Sequence, residues 1–139
     1  MGGINLGRVI LGGIVAGVIA NVGDYAINQL ILPDDMAALT QRLGLDQGRV
    51  EASIPTWIVV DFLYGILLVF AYAAMRPRFG PGPRTAVIAG VTLYLAITVV
   101  LVGFMSMGMF AEDAFLRSAG LSLIVTLAAS IGGAAAYKE

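Results

Sequence analysis

Two aspartates, Asp24 and Asp61, stand alone inside long apolar segments of this sequence. An ionisable side chain in hydrocarbon costs about 2.5–3.5 kcal/mol on insertion scales, so it needs a partner, a proton or a function. Two carboxylates that meet in a low dielectric cannot both be charged cheaply, and one of them would hold a proton, as in a proton relay. A cation that bridges both would satisfy them equally well. The neutral ligands or hydrogen-bond partners expected beside them are Asn21, Asn28 and Tyr64.

Three interpretations of these carboxyl groups stay open. Each can be protonated and bonded to a backbone carbonyl or a hydroxyl group, and then it only fixes helix packing. The second interpretation is a site that binds or transports a proton or a cation. Catalysis is the least expected, because the chain has no Cys and no His. That composition excludes Cys or His nucleophiles, disulfides and thiolate or imidazole metal sites, so we expect neither an enzyme nor a cofactor.

The composition indicates that lipid is the main solvent. Of 139 residues 59% are hydrophobic and 12% are charged, about half the charged fraction of an ordinary soluble domain. About 20 apolar residues span a bilayer as a helix. We therefore predict an all-α fold, a four-helix transmembrane bundle that forms a single integral membrane domain over residues 1–139. The four predicted spans cover about residues 7–32, 55–75, 85–108 and 114–137.

The charges predict the orientation of the bundle. The first segment is too long for a signal peptide and carries polar residues, so we interpret it as the first span. Lys and Arg favour the cytoplasmic side of a membrane. One side of the predicted topology carries Arg8, Arg76, Arg78, Arg84 and Lys138. The other side carries Arg42, Arg49 and Arg117, together with most of the acidic residues. Both termini are therefore expected in the cytoplasm.

The first connection, between Pro33 and Ile54, is long enough for structure of its own. Asp34 is placed to cap a short helix and Gly44 to end it. We expect this helix to lie on the outer membrane surface, and the alternative is a lid over a cavity. The apolar residues at helical spacing within it are Met36, Leu39 and Leu43.

The second connection, from Arg76 to Arg84, holds three prolines and two glycines. We expect it to contain no helix and to form a short, stiff turn at the cytoplasmic surface. Its cations Arg76, Arg78 and Arg84 should bind anionic lipid headgroups. The alternative is the docking of a cytoplasmic partner on this basic loop.

The residues around this connection also carry a family resemblance. The run from Tyr72 to Ala86, YAAMRPRFGPGPRTA, with the opening Asn5–Val9, NLGRV, resembles small bacterial four-span membrane proteins of unknown function. The resemblance covers most of the chain. It implies a protein of the bacterial inner membrane, and it implies nothing about chemistry.

Helical periodicity places both aspartates on inward faces. At 100° per residue, one stripe of the first span occupies an arc of about 80°. Its small residues allow close packing, so the stripe should point into the bundle. If the first two spans are adjacent, Asp24 and Asp61 are level with each other in the outer half of the membrane. The stripe of the first span comprises Gly13, Gly17, Asn21, Asp24, Asn28 and Ile31. The corresponding face of the second span comprises Trp57, Asp61, Tyr64, Gly65, Leu68 and Tyr72.

The fourth span has a small, hydroxylated stripe that should also pack inward. Arg117 points roughly 140° away from Ser122 on a regular helix, so we expect it to reach lipid headgroups. Pairing of Arg117 with Asp61 or Asp24 is the alternative. The packing stripe comprises Ser122, Thr126, Ala129, Ser130 and Gly133.

Met105, Met107 and Met109 place three thioethers at alternate positions, which is a weak pattern for Cu(I). Apolar packing is the default interpretation of these methionines, because Met107 points away from the other two in a helix.

Two functions follow from this sequence. The first is a non-enzymatic accessory or scaffold subunit with a buried polar core. The second is a small proton- or cation-coupled carrier or channel that acts through Asp24 and Asp61. Four short helices enclose little volume, so we expect a homo-oligomer or a larger membrane protein complex. The partners are otherwise the lipid bilayer, and no nucleic acid is expected.

Overall fold

Seven helical segments make up the part of the chain that the computed structural model describes, residues 3–138. They are α1 (Leu6–Tyr25), a π-helical segment (Ala26–Ile31), α2 (Pro33–Arg42), α3 (Gln47–Ala52), α4 (Ile54–Phe79), α5 (Pro83–Ser106) and α6 (Glu112–Ala136). No strand occurs within the described range, which confirms the all-α prediction. Four helices are long and apolar enough to cross a membrane: α1 with its π-helical extension, α4, α5 and α6.

The closest helix packing in the bundle joins α1 to α4 at glycines. A Cβ atom on Gly65 would lie 2.5 Å from the carbonyl oxygen of Gly13 and 2.5 Å from the backbone nitrogen of Gly17. The two backbones therefore touch, as small residues at helix interfaces allow. The same holds between α1 and α6, where a Cβ atom on Gly12 would lie 2.6 Å from the carbonyl oxygen of Gly133.

Small and medium side chains fill the interior, and large apolar side chains cover the outside. Leu11, Val99 and Leu116 are more than half exposed on three different long helices. Packing of small residues inside and an apolar exterior suits a bundle surrounded by lipid, because lipid tails are as apolar as leucine. The core cluster comprises Val9, Ala16, Ala20, Leu68, Val69, Tyr72, Ala73, Ala86, Ala89, Ala129, Ala134 and Tyr137.

Helix α5 is attached to the bundle through its first turns. The hydroxyl group of Ser130 in α6 donates to the carbonyl oxygen of Ala86 at 2.7 Å. After Gly90 no residue of α5 is buried. The second half of α5 therefore leaves space between itself and the other helices. The buried residues of α5 are Thr85, Ala86, Ala89 and Gly90.

Both described chain ends lie at one end of the bundle, which we call the terminal end. The backbone N–H of Asn5 donates to the hydroxyl oxygen of Tyr137 at 3.4 Å. The Tyr137 ring meets Tyr72 edge to face at 6.0 Å between centroids. The Tyr72 hydroxyl oxygen accepts from the N–H of Gly82 at 3.1 Å, which holds the α4–α5 turn at this end. The opposite end carries α2, α3 and the α5–α6 turn, and we call it the loop end.

The prediction that the second connection contains no helix is wrong. Helix α4 continues to Phe79 with Pro77 inside it. Proline lacks an N–H group and removes one hydrogen bond, which a last helical turn tolerates better than a helix interior. The helix ends at Gly80, whose φ of +84° suits glycine. The turn is thus only three residues long, and Pro83 already stands in the first turn of α5.

The first connection contains two short helices rather than one. Helix α2 ends just before Gly44, as predicted, but Asp34 is not its cap. Pro33 starts the helix, since its fixed φ suits the first helical position, and Asp34 follows within the first turn. Helix α3 was not predicted. The Asp46 carboxylate caps it by accepting from the N–H of Arg49 at 2.9 Å.

Candidate functional site

The crossing of α1 and α4 brings together the two aspartates of the long apolar helices. Asp24 lies about two turns beyond Gly17 on α1, and Asp61 lies about one turn before Gly65 on α4. Both residues are thus on the loop-end side of the glycine contact. Their carboxyl groups lie close enough to share a hydrogen bond. Asp61 is buried, with 8% of its surface exposed, while Asp24 is half-buried.

A hydrogen bond between two carboxyl groups requires one proton. The protonated carboxyl donates and the ionised one accepts. With one proton, the pair carries one negative charge, and with two protons it is neutral. The pair can therefore exchange a proton without losing its place in the bundle.

The three neutral residues expected beside the aspartates have different roles. The Asn21 amide nitrogen donates to the carbonyl oxygens of Gly17 at 2.9 Å and Ile58 at 3.3 Å, so Asn21 ties α1 to α4. The Tyr64 hydroxyl group lies 3.5 Å from that of Thr126 on α6. Asn28, in the π-helical segment, lines a cavity beside Asp24.

That cavity has a volume of about 350 Å³ and is partly enclosed. Asp24, Asn28 and Tyr64 contribute to its polar surface, whereas most of the wall is apolar. It occupies the space that the second half of α5 leaves beside the bundle. The other lining residues are Ala20, Leu32, Asp35, Met36, Ala38, Leu39, Arg42, Tyr94, Ile97, Thr98, Leu101, Phe110, Ala111, Ala114, Phe115, Ser118, Ala119, Ser122, Val125 and Thr126.

Helix α2 lies over this cavity and contributes five residues to its wall. Its expected position on the outer membrane surface and its alternative role as a lid both stay predictions. Met36 and Leu39 face the space and are half-buried. The helix is fixed at both of its ends. Asp35 binds Arg117 of α6, and the Arg42 Nε donates to the carbonyl oxygen of Gly108 at 2.9 Å.

Arg117 does not pair with either intramembrane aspartate. Its Nη2 and Nε atoms donate to the two Asp35 oxygens at 2.9 and 3.0 Å, and its Nη1 donates to Asp113 at 3.2 Å. The sequence did not predict these partners, because periodicity along α6 cannot show that α2 folds back over it. Among residues 3–138, no Lys or Arg forms an ion pair with Asp24 or Asp61.

The predicted packing residues lie at helix contacts. Gly13, Gly17 and Gly133 are buried against neighbouring helices, as are Thr126 and Ser130. Ser122 is half-buried and lines the cavity instead. Two stripe residues differ from expectation, since Ile31 is 54% exposed and Trp57 is 63% exposed.

The remaining candidates lie away from the cavity. Arg76, Arg78 and Arg84 flank the turn at the terminal end, and the Arg76 guanidinium lies 5.6 Å from the centroid of the Tyr137 ring. Of the three methionines in the copper pattern, Met107 is 75% exposed, whereas Met105 and Met109 are partly buried. No group of three or more His, Cys, Asp or Glu in the described residues is arranged to hold a metal ion.

Several residues of the site were missed by the sequence analysis. Tyr94 lines the cavity and donates its hydroxyl hydrogen to the carbonyl oxygen of Ala119 at 2.6 Å. The π-helical segment was not predicted either, although π-helical turns are frequent at functional sites. A tyrosine in the middle of an apolar span was a signal that could have found Tyr94.

The comparisons with known proteins give no family for the chain. No family model, no curated protein and no solved structure matches it. The resemblance of the Tyr72–Ala86 run to small bacterial four-span membrane proteins therefore stays a prediction.

Proposed function

We propose that this protein is a small proton-coupled carrier of the bacterial inner membrane, with both termini in the cytoplasm, and that Asp24 and Asp61 hold the proton. The observation that carries the proposal is the position of this hydrogen-bonded carboxyl pair beside a cavity of about 350 Å³. Polar groups that serve packing alone are best sealed between helices. A carboxyl group that lines a cavity can instead exchange its proton or meet a ligand.

The surroundings of the pair support this role. Asp61 is buried and Asp24 is half-buried on the cavity wall, so one member anchors the proton and the other is reachable. Among the described residues no Lys or Arg neutralises the pair through an ion pair. A proton is then the simplest charge that can compensate one carboxylate in a low dielectric. Loss or gain of that proton changes the charge of the cavity by one unit.

Self-association is part of the proposal. After Gly90, α5 buries no residue against its own chain, and its outer face carries Leu95, Val99 and Val102. A second copy could cover this apolar face. The working unit of the carrier is accordingly a homo-oligomer.

An accessory or scaffold subunit is the second candidate, and the glycine contacts favour it. The approach of α1, α4 and α6 at Gly12, Gly13, Gly17 and Gly65 leaves no side-chain volume between backbones. Such a rigid crossing serves well as a fixed platform for a larger membrane protein. The carrier and the scaffold differ in whether solvent protons reach the aspartates.

Infrared difference spectroscopy of the protein in lipid films tests the two candidates. For the carrier, a protonated carboxyl band should shift in D₂O within minutes and should lose intensity as the pH rises. The band should be absent when Asp24→Asn and Asp61→Asn are combined. Asp34→Asn, which removes an exposed carboxylate on α2, is the matched control and should leave the band unchanged. A band that neither exchanges with D₂O nor responds to pH would contradict the carrier and support the scaffold.

A further inference from the structure

The cavity has the size of a small-molecule site. Its volume of about 350 Å³ lies at the lower end of the roughly 300–1,000 Å³ that ligand pockets occupy. At roughly 30 Å³ for each water-sized group, it holds about a dozen such groups. Its wall is mostly apolar, and only a few polar groups converge near Asp24. An occupant of this space needs an apolar body.

The charge of the cavity determines which charge the ligand should carry. With a single shared proton, the Asp24–Asp61 pair has one negative charge. The charged side chains of α2 that line the cavity already have partners, since Asp35 binds Arg117 and Arg42 binds the Gly108 carbonyl oxygen. The bond to a neutral carbonyl leaves the charge of the exposed Arg42 in place, but Arg42 forms no ion pair with Asp24 or Asp61. A ligand that carries one positive charge can supply this missing partner.

The other groups that face the pair are neutral. Tyr64 comes from α4, Tyr94 from α5 and Asn28 from the π-helical segment. Helix α6 contributes hydroxyl groups, Ser122 and Thr126. None of these side chains competes with a cation for the carboxylate, so the binding energy depends on the protonation of the pair.

The lining also favours an organic over an inorganic cation. Hard metal cations such as Ca²⁺ need six to eight oxygen ligands, and most of the cavity wall has none to offer. Four aromatic rings line the space: Tyr64, Tyr94, Phe110 and Phe115. Aromatic faces attract ammonium groups and pack against apolar bodies, and both are suited to a substituted ammonium ion.

We propose that the cavity binds a small organic cation with an apolar body, a substituted ammonium ion of about a dozen heavy atoms, with its charge against the Asp24 carboxylate. This inference rests on the proposed proton role of the pair and names the class of molecule that exchanges with the proton. When both carboxyl groups are protonated, entry of the cation expels one proton, so that the charge of the occupied site stays at zero. When one proton is present, the cation neutralises the pair and no proton leaves.

Isothermal titration of the full chain in phosphatidylcholine nanodiscs tests the inference. The probe is benzyltrimethylammonium, and the control ligand is its neutral isostere neopentylbenzene. Benzyltrimethylammonium should bind, and its affinity should rise up to about tenfold per pH unit where one proton is released and then level off. Asp24→Asn should weaken it by about tenfold or more, because a charge-assisted contact is lost. The control variant Asp34→Asn, an exposed residue that does not line the cavity, should retain it.

The outcomes separate this inference from the proposed function. If the infrared band exchanges and responds to pH but benzyltrimethylammonium gives no heat above that of empty nanodiscs, the ligand class is wrong and the proton role stands. Equal affinity for neopentylbenzene would also overturn the inference, since the cavity would then recognise an apolar shape alone, such as a lipid chain. A band without exchange or pH response would overturn the proposed function itself.

Discussion

Gly65 is the residue on which the position of the carboxyl pair depends most. It lets α4 touch the backbone of α1 at Gly13 and Gly17, and Asp61 lies one turn before it on the same helix face. In a membrane, helices associate through such close contact, since burial of apolar surface from water contributes little. Any side chain at Gly65 must separate the two helices. The shared hydrogen bond of Asp24 and Asp61 would then lengthen as well.

Gly65→Ala should destabilise the protein by about 1–3 kcal/mol, the usual cost of inserting a methyl group into a packed interior. The new Cβ atom would lie 2.5 Å from two backbone atoms, which cannot move aside as a flexible side chain can. Gly103→Ala is the matched control in a transmembrane helix, because nothing lies within 4 Å of its Cβ position. It should change stability by less than about 0.5 kcal/mol. Reversible unfolding in bicelles measures both, and equal effects of the two variants would refute the proposed contact.

At the scale of single residues, the sequence predicted the site as far as helix periodicity reaches. The spacing at 100° per residue puts Gly17 and Asp24 on one face of α1, and in the structure both lie against residues of α4. Ile31 breaks the pattern because the π-helical segment has more residues per turn and rotates the face. Periodicity also cannot show which neighbour a face meets. For this reason Arg117 was assigned to lipid headgroups although it binds Asp35.

Among the elements, α2 is the one held in place by polar contacts rather than by buried apolar residues. It has no buried residue, and its ends are fixed by the Asp35–Arg117 ion pair and by the Arg42–Gly108 hydrogen bond. Partly exposed ion pairs contribute little to stability and are weakened by salt. Helix α2 should therefore open more easily than the long helices, and it lies over the cavity.

Arg117→Gln should loosen α2 without unfolding the bundle. The bidentate contact with Asp35 is lost, and we expect backbone amides of α2 to exchange with deuterium faster by a factor of a few. High salt should have the same effect on the wild-type protein. The control is Arg49→Gln on α3, which lies outside this ion pair. Hydrogen exchange read by mass spectrometry measures the rates, and an unchanged α2 in Arg117→Gln would mean that the ion pair does not hold the helix.

The elements differ in how well the sequence predicts them. The four long helices follow from hydropathy alone, because a run of about 20 apolar residues crosses a lipid bilayer as an α-helix. Hydropathy does not predict the structure of the connections between them. The sequence composition of Arg76–Arg84 suggested a helix-free turn, yet α4 runs to Phe79, since one proline near a helix end costs a single hydrogen bond. The position of α2 over the cavity depends on contacts with α6 that lie far away in the sequence.

The whole molecule has two ends of different charge. The terminal end carries Arg8, the three arginines around the α4–α5 turn and Lys138. Six acidic residues, Asp34, Asp35, Asp46, Glu51, Glu112 and Asp113, lie with three arginines at the loop end. The folded bundle holds these groups at opposite ends, because both described chain ends meet at Tyr137. Positively charged ends remain in the cytoplasm during membrane insertion. The carboxyl pair and its cavity, which lie toward the loop end, would then be nearer the outer surface.

Cysteine labelling measures this orientation cleanly, since the chain has no cysteine of its own. Gly3→Cys places a thiol at the terminal end, where nothing lies within 4 Å of the new Cβ, and Gln41→Cys places one on the exposed side of α2. In bacterial cells with a permeabilised outer membrane, an impermeant maleimide should label Gln41→Cys and should reach Gly3→Cys only after the inner membrane is disrupted. Replacing the three arginines around the α4–α5 turn by Gln leaves two Lys or Arg residues at the terminal end against three at the loop end. The charges then no longer favour a cytoplasmic location of the terminal end. Part of the molecules should then insert inverted, and Gly3→Cys should become labelled in intact cells. Labelling of Gly3→Cys with all arginines present would show that the charge asymmetry does not set the topology, and it would place the proton pair on the cytoplasmic side.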